Sequence, residues 1–328
     1  MHTKNKKNLF LVLIFVLVIL FGLLCTGSLY RQIFSISNIS NNSHIDNNNN
    51  LFVENKKDFF SVIVLPDTQK YSAKYPEIFL AQTNWINENK EELNILFVAH
   101  VGDLVDASTD KNQWDNAKEA MNVLTENNIP FGIALGNHDF KSVTKRTTLF
   151  NDYFSESDFG IVEEQKYFSP GNGYAIINAG DKNITFVFAS FCPDENTLNN
   201  LSDLLKGNDS EKIFVTHGYL GKDANRYVHV CKSTEYIWDD FVKKQVNMNL
   251  VLSGHVHFEA ILFSQNDFDQ EVIQVLSDYQ TTNDSKSGYM KILTFYPFQN
   301  ILEMKTFSPY RNEYFDSNID GNFAFEIN

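Results

Sequence analysis

Positive charge is scarce in this chain. Lys and Arg total 27 against 41 Asp and Glu, a formal net charge of -14. A nucleic acid polymer is therefore not the expected partner, because a phosphate backbone wants a basic face. A small phosphate substrate stays open, since a bound metal reverses the local charge. Cysteine is scarcer still, with three residues in 328. Cys25 falls in an apolar segment, which leaves Cys192 and Cys231 for the folded part. Two readings stand for that pair: a disulfide in an oxidising compartment, or two buried thiols. Internal repeats and a second domain are also missing. With 43% hydrophobic residues, the chain has enough apolar material for one large α/β domain with appendages.

Residues 9–25, "LFLVLIFVLVILFGLLC", carry no charge and follow the basic "MHTKNKKN". A basic start before an apolar run means export or anchoring. Residues 1–30 are read as an uncleaved signal anchor, with the lysines inside and the remainder outside the membrane. The alternative is a signal peptide cleaved after Gly27, which would make the protein secreted. Residues 31–57 contain "SISNISNNSHIDNNNN", too polar to bury a core, and read as a flexible tether in which His44 binds nothing. The folded domain is placed at 58–328.

Within it, "FFSVIVLPD" (59–67) reads as a buried strand, and 76–93 as a helix with Ile78, Phe79, Trp85, Ile86 and Leu93 at helical spacing. "NILFVAHVGD" (94–103) is a second strand, 113–128 a helix and "IPFGIALGN" (129–137) a third strand. This alternation predicts βαβ units with parallel pairing. Strands are also expected at 184–190, 212–219 and 246–257, and helices at 195–207 and 233–245, before a run of short strands to the end.

The strands end in polar groups. "PDTQ" supplies Asp67 and Gln69, "GDLVD" supplies Asp103 and Asp106, and "GNHD" supplies Asn137 and His138. His217 closes "KIFVTH", and "GHVH" supplies His255 and His257. Ligands of open α/β sheets gather at the carboxyl ends of strands. Asp, Asn and His together suit Mn, Fe, Zn or Mg. In this order the blocks D-x-Q, GD-x-x-D, GNHD, a lone His after a strand and GH-x-H resemble the calcineurin-like metallophosphoesterase superfamily, over roughly residues 60–310.

The resemblance implies a four-layer αββα sandwich of two mixed β-sheets and a binuclear centre of two divalent ions that hydrolyses a small phosphoester. It implies that Asp67 and His257 hold the first ion, Asp103 bridges both, and Asn137, His217 and His255 hold the second. His138 would protonate the leaving oxygen, and Asp106 would orient and charge it. Water-derived attack on phosphorus would be direct, with no enzyme-phosphate intermediate. The pattern departs from many family members at Gln69, where they carry His. Its neutral amide oxygen ligates directly, holds a metal-bound water or points away, and it biases the first position toward Mn, Mg or Fe over Zn. The rival reading is a non-catalytic metal-binding surface protein on the same fold. Other polar residues have plainer readings. His100 reads as packing beside the site, Asp139 as a helix cap, and Tyr71 and Tyr279 as core. Arg226, Tyr227 and His229 are read either as a wall of the substrate opening or as a solvated loop.

Overall fold

The computed structural model describes residues 57–226, 234–283 and 285–325. The N-terminal segment, the tether up to residue 56, Tyr227, His229 and Cys231 lie outside these. Among the described residues, no helix is long and apolar enough to cross a membrane. Lys56–Asn328 forms one compact unit.

Among the described residues, fourteen strands build two sheets. β1 (Phe60–Leu65), β2 (Ile95–His100) and β3 (Phe131–Ile133) pair in parallel. β4 (Glu164–Ser169), β5 (Asn172–Asn178) and β6 (Asn183–Ala189) form an antiparallel meander. β7 (Glu211–Gly218), β8 (Met248–Gly254), β9 (Phe258–Gln265) and β10 (Glu271–Asp278) follow, with β6, β7, β8 and β10 parallel and β9 antiparallel at the edge. β11 (Met290–Tyr296), β12 (Ile301–Ser308), β13 (Glu313–Tyr314) and β14 (Gly321–Ala324) return antiparallel to the first sheet. The first sheet runs β13-β12-β11-β1-β2-β3, with β14 on β12, and the second runs β4-β5-β6-β7-β8-β10-β9. Both are mixed, as expected.

The helices are α1 (Gln69–Lys74), α2 (Pro76–Asn89), α3 (Lys111–Glu126), α4 (Phe150–Tyr153), α5 (Glu195–Leu204) and α6 (Glu235–Asp240). Pro76 opens α2, where its fixed φ suits the first turn. Asp110 caps α3 by accepting from Asn112 N, and Asp194 caps α5 by accepting from Thr197 N. α3 then buries Trp114, Ala117, Ala120, Met121 and Leu124, a single helical face.

Burial separates four layers. Val62, Val64, Phe97, Phe186, Val215 and Leu252 fill the space between the sheets. Ile63, Leu65 and Val98 face the other way, onto Phe79, Trp114 and Met121 of the first helical layer. Val187, Phe214 and Val251 pack on Leu198, Leu201 and Trp238 of the second. Successive residues of a strand point to opposite faces, so strands covered on both sides read as unbroken apolar runs. That accounts for "SVIVL" and "ILFVA". β4, β5, α1 and α4 were not expected from the sequence. β4 alternates exposed and half-buried residues and has no such run. The helix expected at 233–245 is shorter, with a 3-10 turn at Val242–Lys244 finishing it.

Candidate metal centre

The exits of β1, β2 and β3 meet those of β7, β8 and β10. Asp67 and Asp103 are buried, and the backbone links their loops, with Thr68 N donating to Asp103 O at 3.1 Å. Two glycines permit the approach. A Cβ on Gly136 would stand 2.1 Å from Asp103 Oδ1 and 2.4 Å from Asp103 N. One on Gly254 would stand 2.3 Å from Asp67 Oδ1. Asp103 (φ 54) and His255 (φ 75) take left-handed backbone conformations. Such conformations cost about 1–3 kcal/mol each and gather at functional sites.

Atoms that carry lone pairs converge here. The carbonyl of Val101 can only accept, so His217 Nδ1 donates to it, at 2.9 Å. His217 Nε2 is then the bare nitrogen of the neutral ring. Around it stand Asn137 Oδ1 at 3.1 Å, His255 Nδ1 at 3.2 Å and Asp103 Oδ2 at 3.3 Å. Ligand atoms of Asp103, His217 and His255 lie within 4.8 Å of one another. A cluster of electron-pair donors at this spacing needs a proton or a cation at its centre. The protonation balance has the same sense. Burial lowers the His217 pKa, but the Asp103 charge outweighs it and the net shift is upward. Burial likewise opposes ionisation of Asp103, and His217 reverses this to a net lowering. His255 is held down to about 4 by burial and by His217.

The second group of residues surrounds Asp67. Its Oδ2 accepts from His255 N at 2.9 Å and from Gln280 Nε2 at 3.3 Å. Burial raises its pKa well above the ordinary value, with Asp278 and then Asp103 adding to it. His257 Nδ1 donates to Asp278 Oδ2 at 3.0 Å, and this bond raises the His257 pKa. Gln69 Nε2 donates to Asp103 Oδ2 at 3.1 Å, while its buried Oε1 has no hydrogen-bond partner. A buried, unpaired amide oxygen at a carboxylate-rich site fits a cation or its water. The donor set as a whole fits divalent ions.

His138 stands at the rim with its side chain 40% exposed. Its N–H donates to Asp103 Oδ1 at 2.9 Å, and its Nδ1 donates to the Asp106 backbone carbonyl at 2.7 Å. That fixes Nε2 as the outward nitrogen. The Asp106 carboxylate is 3.7 Å from His138 Nδ1 and is engaged by Lys70 at 2.7 Å. Asp106 thus holds the ring through its backbone, while its charge is shared with Lys70.

The remaining polar residues sort by contact. His100 is buried and structural: Gly102 N donates to Nδ1 at 3.0 Å and Nε2 lies 3.0 Å from Thr68 Oγ1. Asp139 caps no helix. Its carboxylate accepts from Gly136 N at 2.8 Å and Val105 N at 3.2 Å, tying the β3 exit to the β2 exit. Arg226 is a clamp, bonded to Gln274 and Glu235 and stacked 3.9 Å over Trp238. Tyr71 and Tyr279 are core residues with bonded hydroxyls. Cys192 is disulfide-bonded, and Cys231 is outside the described residues. Lys70, Asp278 and Gln280 were not anticipated. "DYQ" at the exit of β10 has the same D-x-Q spacing as "DTQ" at the exit of β1, and that repetition was the available signal.

Two mixed sheets between helical layers, with carboxylate, amide and imidazole groups at their joined strand ends, are the architecture of the metallophosphoesterase fold. The family model for calcineurin-like phosphoesterases matches residues 60–259, and the chain belongs to that family. It is 31% identical over 281 residues to YvnB of Bacillus subtilis (strain 168), covering 81% of this chain and 21% of that one. The chain thus spans about a fifth of that relative's length. Two solved structures share the fold, each at 14% identity and a TM-score of 0.52. One is the purple acid phosphatase PPD1 from yellow lupin, with 82% of this chain and 54% of that one covered. The other is GAP50, described as the anchor in the inner membrane complex of Plasmodium, with 83% and 90% covered. That family is one of phosphoesterases.

Proposed function

We propose that the chain hydrolyses small phosphoesters at a centre of two divalent ions. Asp67 and His257 serve the first, Asp103 serves both, and Asn137, His217 and His255 serve the second. The observation that carries this reading is the convergence of Asn137, His255 and Asp103 on His217 Nε2. Bound there, the ions supply Lewis-acid polarisation of the phosphoryl group and a water of lowered pKa. The chain's own residues do the rest. His138, held by the Asp106 carbonyl, presents Nε2 to the leaving oxygen and passes a proton to it. Asp106, its carboxylate engaged by Lys70, orients the ring through its carbonyl. Gln69, with its buried Oε1 free of hydrogen bonds, would offer a neutral oxygen to the first ion.

We place this domain outside the cytoplasmic membrane, on a signal anchor or after cleavage of a signal peptide. The basic start, the apolar residues 9–25 and the disulfide at Cys192 support that placement. Protease added to intact cells should then degrade or release the domain, whereas full protection would contradict it.

The test of function is a metal-resolved screen of mono- and diesters on the full chain, paired with elemental analysis of wild type and Asp103→Asn. Two ions per wild-type chain, turnover of at least one ester class, and loss of most metal and nearly all turnover in the variant are expected. Two ions without turnover of any ester would favour a metal-binding surface protein. Full metal content in the variant would end the shared role of Asp103.

A further inference from the structure

The turn that follows β10 touches Asp67 and His257, two of the residues assigned to the first ion. Asp278 is the last residue of β10 and is fully buried in its side chain. Its Oδ2 accepts from His257 Nδ1 at 3.0 Å. Its Oδ1 accepts from Gln280 N at 2.9 Å, which closes the turn. Gln280 Nε2 lies 3.0 Å from Asp278 Oδ2 and 3.3 Å from Asp67 Oδ2, while Gln280 Oε1 is buried and unpaired. One amide nitrogen carries two hydrogens, so a single group bonds both carboxyl groups and holds the two side chains in fixed relation. The backbone between is anchored separately. Tyr279 is buried, its hydroxyl donates to Glu259 Oε2 at 2.9 Å, and its carbonyl accepts from Ser287 Oγ at 2.8 Å.

We infer that Asp278 and Gln280 are positioning residues of the first ion: Asp278 fixes His257 as the tautomer with Nδ1 protonated and Nε2 free to ligate, and Gln280 sets where Asp67 points. This rests on the two-ion reading above. With Asp278 Oδ2 the acceptor of the bond from Nδ1, the ring carries its proton on Nδ1 and its lone pair on Nε2. A carboxylate behind a ligating imidazole fixes ring and tautomer, and losing such a partner costs about 10–100-fold in metal affinity. Asn137, His217 and His255 make no hydrogen bond to Asp278, Tyr279 or Gln280 among the described residues, so the second ion should be spared.

The experiment has two readouts on the full chain. In chelated protein, nitrogen-15 NMR of the histidine rings reads the tautomer of His257, assigned by loss of its signals in His257→Ala. Wild type should show Nδ1–H with Nε2 bare, and Asp278→Ala should lose that preference while Asp278→Glu restores part of it. A wild-type His257 protonated on Nε2 alone would overturn the inference. Calorimetric titration with Mn²⁺ reads the sites. Asp278→Asn and Gln280→Ala should weaken one of two binding events about 10–100-fold and leave the other unchanged. Equal weakening of both events, or of neither, would overturn it. Fewer than two events in wild type would sink the two-ion reading instead, and the tautomer measurement would still decide the role of Asp278.

Discussion

Replacing Gly136 by Ala adds one methyl group at the narrowest point of the site. The new carbon would lie 2.1 Å from Asp103 Oδ1, 2.4 Å from Asp103 N and 2.7 Å from Asp103 Cγ. Real contacts of this kind stay beyond 3.0 Å, so the β3 exit and Asp103 must separate by most of an ångström. One of the atoms met is backbone, and no rotamer change relieves it. Overpacking of this sort costs about 1–3 kcal/mol. A displacement of about 1 Å at a reacting site costs about 10²-fold in rate. Gly136→Ala should therefore lower the unfolding free energy by about 1–3 kcal/mol in chelated protein and cut kcat/KM by about 10²-fold. Its metal content should fall as well, because Asp103 moves away from Asn137 and His217. Gly321→Ala is the control, since its Cβ would meet only the Phe323 ring, 3.9 Å away. Urea unfolding, elemental analysis and nitrophenyl phosphate hydrolysis read the three quantities. A Gly136→Ala protein with unchanged midpoint, two ions and wild-type turnover would refute the claim that this glycine makes room for Asp103.

Three further outcomes are expected. His138→Ala should keep its metal and slow alkyl phosphoesters about 10²–10⁴-fold, far more than nitrophenyl esters that leave without a proton; Asp106→Asn should show the same bias more mildly, since it keeps the carbonyl that holds the ring, and equal losses on both esters would assign His138 to phosphoryl binding. Lys291 is fully buried and bonds Thr306 Oγ1 at 2.7 Å and Asp320 Oδ1 at 2.8 Å, so Lys291→Met strands a carboxylate and should cost about 3–5 kcal/mol by urea unfolding, where a loss below about 1 kcal/mol would show Asp320 escaping to water. Burial holds His100 down to about 3 from 6.5; its stabilising effect is whole above the unfolded value and is lost as pH falls from there toward the folded one, so between pH 7 and pH 5 chelated wild type should lose about 2 kcal/mol more than His100→Gln, and parallel pH profiles would refute the buried neutral ring.

The parts legible in the sequence were those with a local signature. Asp67, Asp103, Asn137, His217, His255 and His257 each follow an apolar run that breaks at Pro, Gly or a polar residue, and the structure brings these exits together. The residues that were missed depend on partners far away in the chain. Asp278 matters because β10 lies parallel beside β8, which carries its exit to the "GHVH" turn. Gln280 reaches the site through Asp67, 213 residues earlier. The division of Asp106 between its carbonyl and its carboxylate was hidden because Lys70, on α1, was not foreseen as a competitor. β4 was missed for another reason: one face is exposed and the other only half-buried, so "EQKYFS" carries no apolar run to mark it.

The two sheets hold different chemistry at their meeting edge. Asp67, Gln69, Asp103 and Asn137 follow strands of the first sheet, and all four offer oxygen. His217, His255 and His257 belong to the second sheet, and all offer nitrogen. Any ion that takes ligands of both kinds is bonded across the sandwich, and its affinity measures how well the two halves are registered. Registration depends on apolar contacts remote from the chemistry, such as the Phe97–Phe186 stack at 4.1 Å between centroids. Truncating Phe97 would thus loosen metal without touching a ligand. Conversely, an ion at 1,000 times its dissociation constant would add about 4 kcal/mol to the cohesion of the layers. The metal supply would then set the mechanical integrity of the domain as well as its catalytic state.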